Sequence, residues 1–186
     1  MSITDQSIIQ KTKNWVEEVV IGLNLCPFAS PPFLNGAIEY TVITGASTEQ
    51  HLQQLADGFT RLDSREDVET SLFIYPEAYQ NFDDYLELLD FANHLLVDLN
   101  YTGIYQIASF HPDYRFEGST ENDASNFTNR SPYPMLHLIR EHSLERAIST
   151  YSANYQNIEQ VPENNIKKLQ NIGYQEMQKK LKNITA

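Results

Sequence analysis

The chain has 186 residues, 41% of them hydrophobic, which suits one domain with a sizeable core. Its 13 Lys and Arg stand against 25 Asp and Glu, for a net charge of −12, and no Lys or Arg occurs from Asn14 to Thr60 or from Glu66 to Tyr114. That excludes a long basic stripe for nucleic-acid phosphates and disfavours an anionic membrane surface, and no apolar run approaches the ~20 residues of a spanning helix.

The N-terminal MSITDQSIIQKTKNW lacks a hydrophobic leader, and the single cysteine, Cys26, cannot form an intrachain disulfide. The expectation is a soluble cytoplasmic protein. From Asp5 to Leu23 the apolar residues Ile8, Trp15, Val16, Val19, Val20 and Leu23 fall near helical spacing. Gly22, Asn24 and Cys26-Pro27 end that helix. Ala37 to Ile43 alternates and reads as a strand. Ser47 or Thr48 can cap a helix to about Leu62. Glu69 to Tyr75 reads as a second strand, Asn81 to about Leu99 as a helix, and Ile104 to Phe110 as a third strand.

Beyond Phe110, positions 111–133 form a long polar loop. Pro134 to about Tyr151 is expected to be helical, and Pro162 can open a last helix to about Leu181, weakened by Gly173. Helices between strands can serve as crossovers. The expected fold is therefore a single α/β domain over 1–186, a layered structure with a small, at least partly parallel sheet of about three or more strands flanked by helices. The alternative is an α+β sandwich.

The run YQIASFHPDYRFEGSTENDASNFTNRSPYPMLHLIREH concentrates the unusual chemistry, with three of the five histidines. Polar residues on a loop between rigid elements commonly build sites. Ser131 can cap a helix entered through Pro132 or Pro134, and free N–H groups there would face an anion. Arg130, just before it, could clamp a phosphate or carboxylate, with Asn126, Thr128 and Asn129 as neutral donors. The structural alternative is that Arg130 pairs with Asp123 or Glu121 and pins the loop.

On the expected helix His137 and Glu141 lie four apart, with Arg140 close by, so His137 could be a base oriented by Glu141. The plainer reading is an intrahelical pair on a solvated face. His111 and Asp113 follow the third strand, where ligands bind in open parallel sheets. With His137 they could hold a divalent metal. Alternatively Asp113 or Asn122 makes a turn and His111 bonds a backbone carbonyl. Cys26 is formally a nucleophile candidate, but its place after a helix C-terminus and between Leu25 and Phe28 favours a core role.

The segments WVEEVVIGLNLCPFA, IASFHPDYRFEG and NFTNRSPYPMLHLIRE together resemble a bacterial family of unknown function, DUF1415, over roughly Ile8 to Gly173. The resemblance implies no activity. It implies motif positions at Cys26, Pro27, Phe28, His111, Pro112, Asp113, Asn129, Arg130, Ser131, Pro132, Pro134, His137, Arg140 and Glu141.

The functional expectation is a small-molecule enzyme, a hydrolase or group transferase acting on a phosphate- or carboxylate-bearing anion. His111 or His137 would serve as acid–base, Asp113 or Glu141 would orient it, and Asn126, Asn129, Arg130, Ser131 and Arg140 would hold substrate. Two alternatives stand beside it: a non-catalytic small-anion-binding or regulatory protein, and a metalloprotein using His111, Asp113 and His137. Neither nucleic acid nor membrane is expected as a partner, and protein partners are left open.

Overall fold

The structure is a computed structural model that describes residues 3–154 and 158–185. Helix α1 (Ile3–Trp15) continues into a π-helical turn (Val16–Ile21), and a short α2 (Ser30–Leu34) follows the Cys26-Pro27 loop. Then come β1 (Ile38–Val42), α3 (Thr48–Ser64), β2 (Thr70–Ile74), α4 (Phe82–Asp98) and β3 (Tyr105–Phe110). A polar loop carrying one 3-10 turn (Ala124–Thr128) leads to β4 (Met135–Arg140) and α5 (Glu141–Asn154). The chain closes with α6 (Val161–Ile172) and α7 (Tyr174–Thr185). Among the described residues no helix is long and apolar enough to cross a membrane.

The four strands form one mixed sheet in the order β1-β2-β4-β3. β1 and β2 are parallel, and β4 runs antiparallel to both of its neighbours. This is an α/β fold with helices on both faces of a partly parallel sheet. α3 and α4 cover one face through Leu55, Phe59, Leu62, Leu88, Ala92 and Leu96. Gly58 lets α3 approach closely, because a Cβ there would sit 2.1 Å from Phe73 Cζ. α1, the π-helical turn, α6 and α7 contribute Ile8, Trp15, Val16, Val19, Leu169 and Met177 to the core on the other face.

Local chemistry sets the helix starts. The Ser47 side chain accepts from Gln50 N at 3.3 Å, and the Asn81 side chain accepts from Asp83 N at 2.8 Å. The first three strands lie within a residue or so of their expected bounds. The expected last helix is divided at Gly173, which adopts φ 88° between α6 and α7.

One expectation is overturned. Residues from Pro134 do not begin a helix: Met135–Arg140 is a central strand, and the helix starts only at Glu141. The physical reason is burial on two faces. Leu136 and Leu138 point to the α3–α4 core, while Met135 points to the α1 core. A continuous apolar run between two covered faces suits a central strand, and its periodicity alone does not separate it from a buried helix.

Candidate functional site: a cavity between the sheet and the first helix

The β4 assignment changes what the polar residues can do. Without a helix at 131–134, the expected anion cradle of free helical N–H groups is not formed. Ser131 is buried and its hydroxyl donates to Tyr133 O at 2.6 Å. Arg130 is 5% exposed and donates through Nε to Tyr114 O (3.1 Å) and through Nη2 to Glu121 O (2.9 Å). Its guanidinium lies 5.0 Å from the Phe127 ring centroid and 5.6 Å from that of Tyr174. Arg130 therefore ties the loop through Glu121, by its backbone carbonyl rather than its carboxylate. Asn126 works alongside: its Oδ1 accepts from Phe116 N and Ser119 Oγ, and its Nδ2 donates to Thr120 O. Asn129 Nδ2 donates to Ser109 O.

Arg140 is directed to the other face of the sheet. It donates to the carbonyls of Val68, Leu62 and Arg65 and to the Tyr105 hydroxyl, closing the C-terminal end of α3. Glu141 opens α5, and its backbone N–H donates to Ile104 O at 2.9 Å. His137 and Glu141 thus do not share a helical face.

His111 is fully buried against Phe82 and Tyr85 of α4. Its Nδ1 accepts from Asp113 N at 2.9 Å, so Nε2 carries the proton and donates to Tyr79 O at 2.9 Å. Burial holds its pKa below the ordinary histidine value. Tyr79 itself adopts φ 56°, and its carbonyl is fixed by this bond. The Asp113 side chain is exposed. His111 packs on the α4 side of the sheet, whereas His137 lies on the α1 side, so the two do not form one metal set with Asp113. Among the described residues no group of three His, Cys, Asp or Glu side chains comes together as a metal cage.

His137 belongs to a different construction. It faces a cavity of about 270 Å³ between the sheet, α1 with its π-helical turn, the 26–32 segment and α5. The sheet wall is set by register: Thr70 is paired with Ile38 and Ile139, and His137 with Leu72 and Ala108. The small Ala108 beside His137 leaves space. Trp15, Val16, Val20, Phe28 and Phe110 close the apolar walls. Trp15 packs edge-on against Phe110 at 5.1 Å and donates from Nε1 to Arg130 O at 3.0 Å. The polar loop thereby anchors one wall of the cavity.

Four side chains besides His137 bring polar chemistry to these walls: Cys26, Glu69, Thr70 and Ser143. Thr70 is buried, and its hydroxyl donates to Leu138 O at 2.5 Å. Its one proton is thereby used, so the 2.5 Å contact with His137 Nε2 is donated by the imidazole. Nδ1 then holds the ring's lone pair, and it has no hydrogen-bond partner among the described residues. Desolvation lowers the His137 pKa to about 4, so the ring is neutral near pH 7. Burial raises the Cys26 thiol, while the backbone N–H groups of Phe28 and Ala29, directed at it, act in the opposite sense.

Cys26 and His137 were candidates by sequence, but nothing in the sequence joined them. Glu69, Thr70, Ala108 and Ser143 were not singled out. Only the register of β2 on β4, across 67 residues, puts Thr70 against His137.

The model of a family described as proteins of unknown function, DUF1415, matches residues 7–179. The chain belongs to this family. No curated protein and no solved structure matches it. In this DUF1415 chain the matched span contains every cavity-lining residue and the whole polar loop.

Proposed function

We propose that this protein binds a compact, mostly apolar small molecule in the cavity between the sheet and α1, and that neutral His137 accepts a hydrogen bond from it through Nδ1. The observation that carries this reading is the commitment of the other ring nitrogen: Nε2–H is given to Thr70, whose own proton goes to Leu138 O. A neutral imidazole with a free acceptor on a largely apolar wall favours a ligand that offers it a donor, such as a phenol, an alcohol or an amide N–H.

The anionic-substrate reading draws less support. Arg130 and Arg140 direct their donors to main-chain carbonyls and tyrosine hydroxyls, and neither lines the cavity. Acid–base work in a hydrolase or transferase is compatible with the same histidine, since a neutral imidazole is the form that takes up a proton.

The test is calorimetric titration with p-cresol and with toluene, which differ by one hydroxyl donor. The expected result is p-cresol binding at least about tenfold tighter than toluene, the order of one hydrogen bond. Ala108→Leu, which would fill the space beside His137, is expected to abolish both. Equal binding of the two ligands, or binding unchanged in Ala108→Leu, would overturn the reading.

A further inference from the structure

Strand register shows which main-chain groups of the edge strand β3 are already bonded. Beyond the end of the β2–β4 ladder, Tyr75 N donates to Pro134 O. Bonded pairs alternate in an antiparallel ladder, so Leu136 and Leu138 bond toward β2, while Met135, His137 and Ile139 bond toward β3. Their partners on β3 are Phe110, Ala108 and Gln106, and the Glu141 N–H on Ile104 O continues the same alternation. Tyr105, Ile107 and Ser109 therefore direct their N–H and C=O groups away from the sheet. Tyr101 O accepts from Tyr105 N at 3.1 Å, and Asn129 Nδ2 donates to Ser109 O at 3.0 Å. Four groups have no partner among the described residues: the Tyr105 C=O, both groups of Ile107, and the Ser109 N–H.

We infer that this edge is a homodimer interface, in which β3 pairs antiparallel with β3 of a second copy about a two-fold axis at Ile107. Two four-stranded sheets then become one. The two Ile107 residues exchange N–H···O=C bonds, and each Ser109 N–H meets the Tyr105 C=O of the other copy. All four free groups of each chain are thereby paired, so the partial charges along the edge complement their own two-fold image. The two groups already occupied, Tyr105 N–H and Ser109 C=O, are the ones the two-fold sets against each other. In an unrelated strand the C=O facing Tyr105 N–H would meet no free donor, which favours a second copy over another extended segment.

The side chains around the edge suit burial. In a chain of net charge −12, β3 has no charged residue, no proline and no bulge, the devices that keep an edge strand solitary. The opposite edge strand, β1, carries Glu39 in ion pairs with Arg61 and Arg65. α4 lies over β3, with the Tyr85 hydroxyl on Phe110 N, and sets Leu86, Leu89, Asn93 and Val97 at helical spacing along one flank. Leu86 and Leu89 share a groove with Ser109, whereas Phe91 and Leu95 line the groove against α3. The stripe thus faces the β3 edge. Leu86 and Val97 on it, and Ile104 at the entry to β3, are exposed. Gln106 alternates with Ile107 onto the face of Ala108, a cavity-wall residue, and the pairing sets Gln106 opposite Ala108 of the second copy. Each copy therefore brings a side-chain amide beside the other's cavity wall.

The experiment is sedimentation velocity of the full chain over a dilution series, with residue-resolved amide exchange by mass spectrometry at each concentration. The expected result is a particle of two chains that dissociates on dilution. The Ile107 and Ser109 amides are expected to exchange at least about tenfold faster in the monomer than in the dimer. The Tyr105, Gln106 and Ala108 amides bond within the chain and are expected to hold their rates. Leu86→Glu with Val97→Glu adds charge at exposed positions and is expected to weaken the dimer at least about tenfold while circular dichroism is unchanged. Should that variant misfold, the dilution series of the unaltered protein decides alone.

A monomer at every concentration would overturn the inference. So would a dimer that a folded Leu86→Glu, Val97→Glu variant leaves as tight as before. Ile107 and Ser109 amides that exchange equally fast in dimer and monomer would place the contact on another face, and would overturn it too.

Discussion

Thr70 Oγ1 lies 2.5 Å from both His137 Nε2 and Leu138 O, so a single hydroxyl on β2 fixes the protonation pattern of the imidazole on β4. It can do so because Thr70 has one proton to give and the carbonyl can only accept. Thr70→Val keeps the shape and removes the relay. It is expected to destabilise the fold by about 1–3 kcal/mol, since Leu138 O and the imidazole N–H lose their partner. p-Cresol affinity should fall at the same time, because the ring is no longer held in one tautomer. Urea denaturation beside calorimetric titration measures both.

His137 also gives stability a pH dependence of definite sign. Its folded pKa, about 4, lies below the ordinary 6.5. Between those values the unfolded chain binds more protons, so the contribution is complete above about pH 6.5 and is lost as the pH falls toward 4. His111, lowered in the same direction, adds to the trend. The His137→Phe variant is expected to show a shallower fall of melting temperature across that window. A slope equal to that of the unaltered protein would count against a neutral, desolvated His137.

His111 separates structural from chemical roles. It is fully buried, with Nε2 on Tyr79 O and Nδ1 on Asp113 N. His111→Ala leaves both partners unpaired and opens a void, at an expected cost of about 2–5 kcal/mol. At a temperature where the variant is still folded, p-cresol affinity is expected to change by less than about threefold, because His111 packs on the opposite face of the sheet from the cavity. A loss of binding with little loss of stability would return His111 to the site.

Arg130 is expected to act on the loop rather than on a ligand. Arg130→Met removes the donors to Tyr114 O and Glu121 O, at about 1–3 kcal/mol for each buried acceptor left unpaired. Amide hydrogen exchange should accelerate over 112–123 and much less in β2. Tighter binding of phosphate by the unaltered protein than by Arg130→Met, with equal exchange rates, would favour an anion site instead.

Much of this architecture was legible in local sequence. Ser47 and Asn81 sit where side-chain caps are needed, and the strands around Tyr40, Leu72 and Ile107 carry the expected apolar and β-branched residues. β4 was not legible, because MLHLIR is short and apolar at most positions, and a proline before it suits a helix start as well as a strand entry. That misassignment carried the site with it: it placed His137 beside Glu141 and gave Arg130 a helix to precede. Loop pinning by Arg130 was among the sequence readings, and the structure supplies the detail that carbonyl oxygens are the acceptors. The cavity itself is drawn from residues between Trp15 and Ala147 brought together by strand register, which spacing along the chain does not encode.

The most direct test of the central claim is long-range proton–nitrogen NMR of the His137 ring, recorded free and with saturating p-cresol. The free protein is expected to show a neutral ring protonated at Nε2. Addition of p-cresol is expected to shift Nδ1 as a hydrogen-bonded acceptor, and toluene is expected to leave it unmoved. A ring protonated at Nδ1 in the free protein, or an Nδ1 resonance indifferent to p-cresol, would contradict the proposed site.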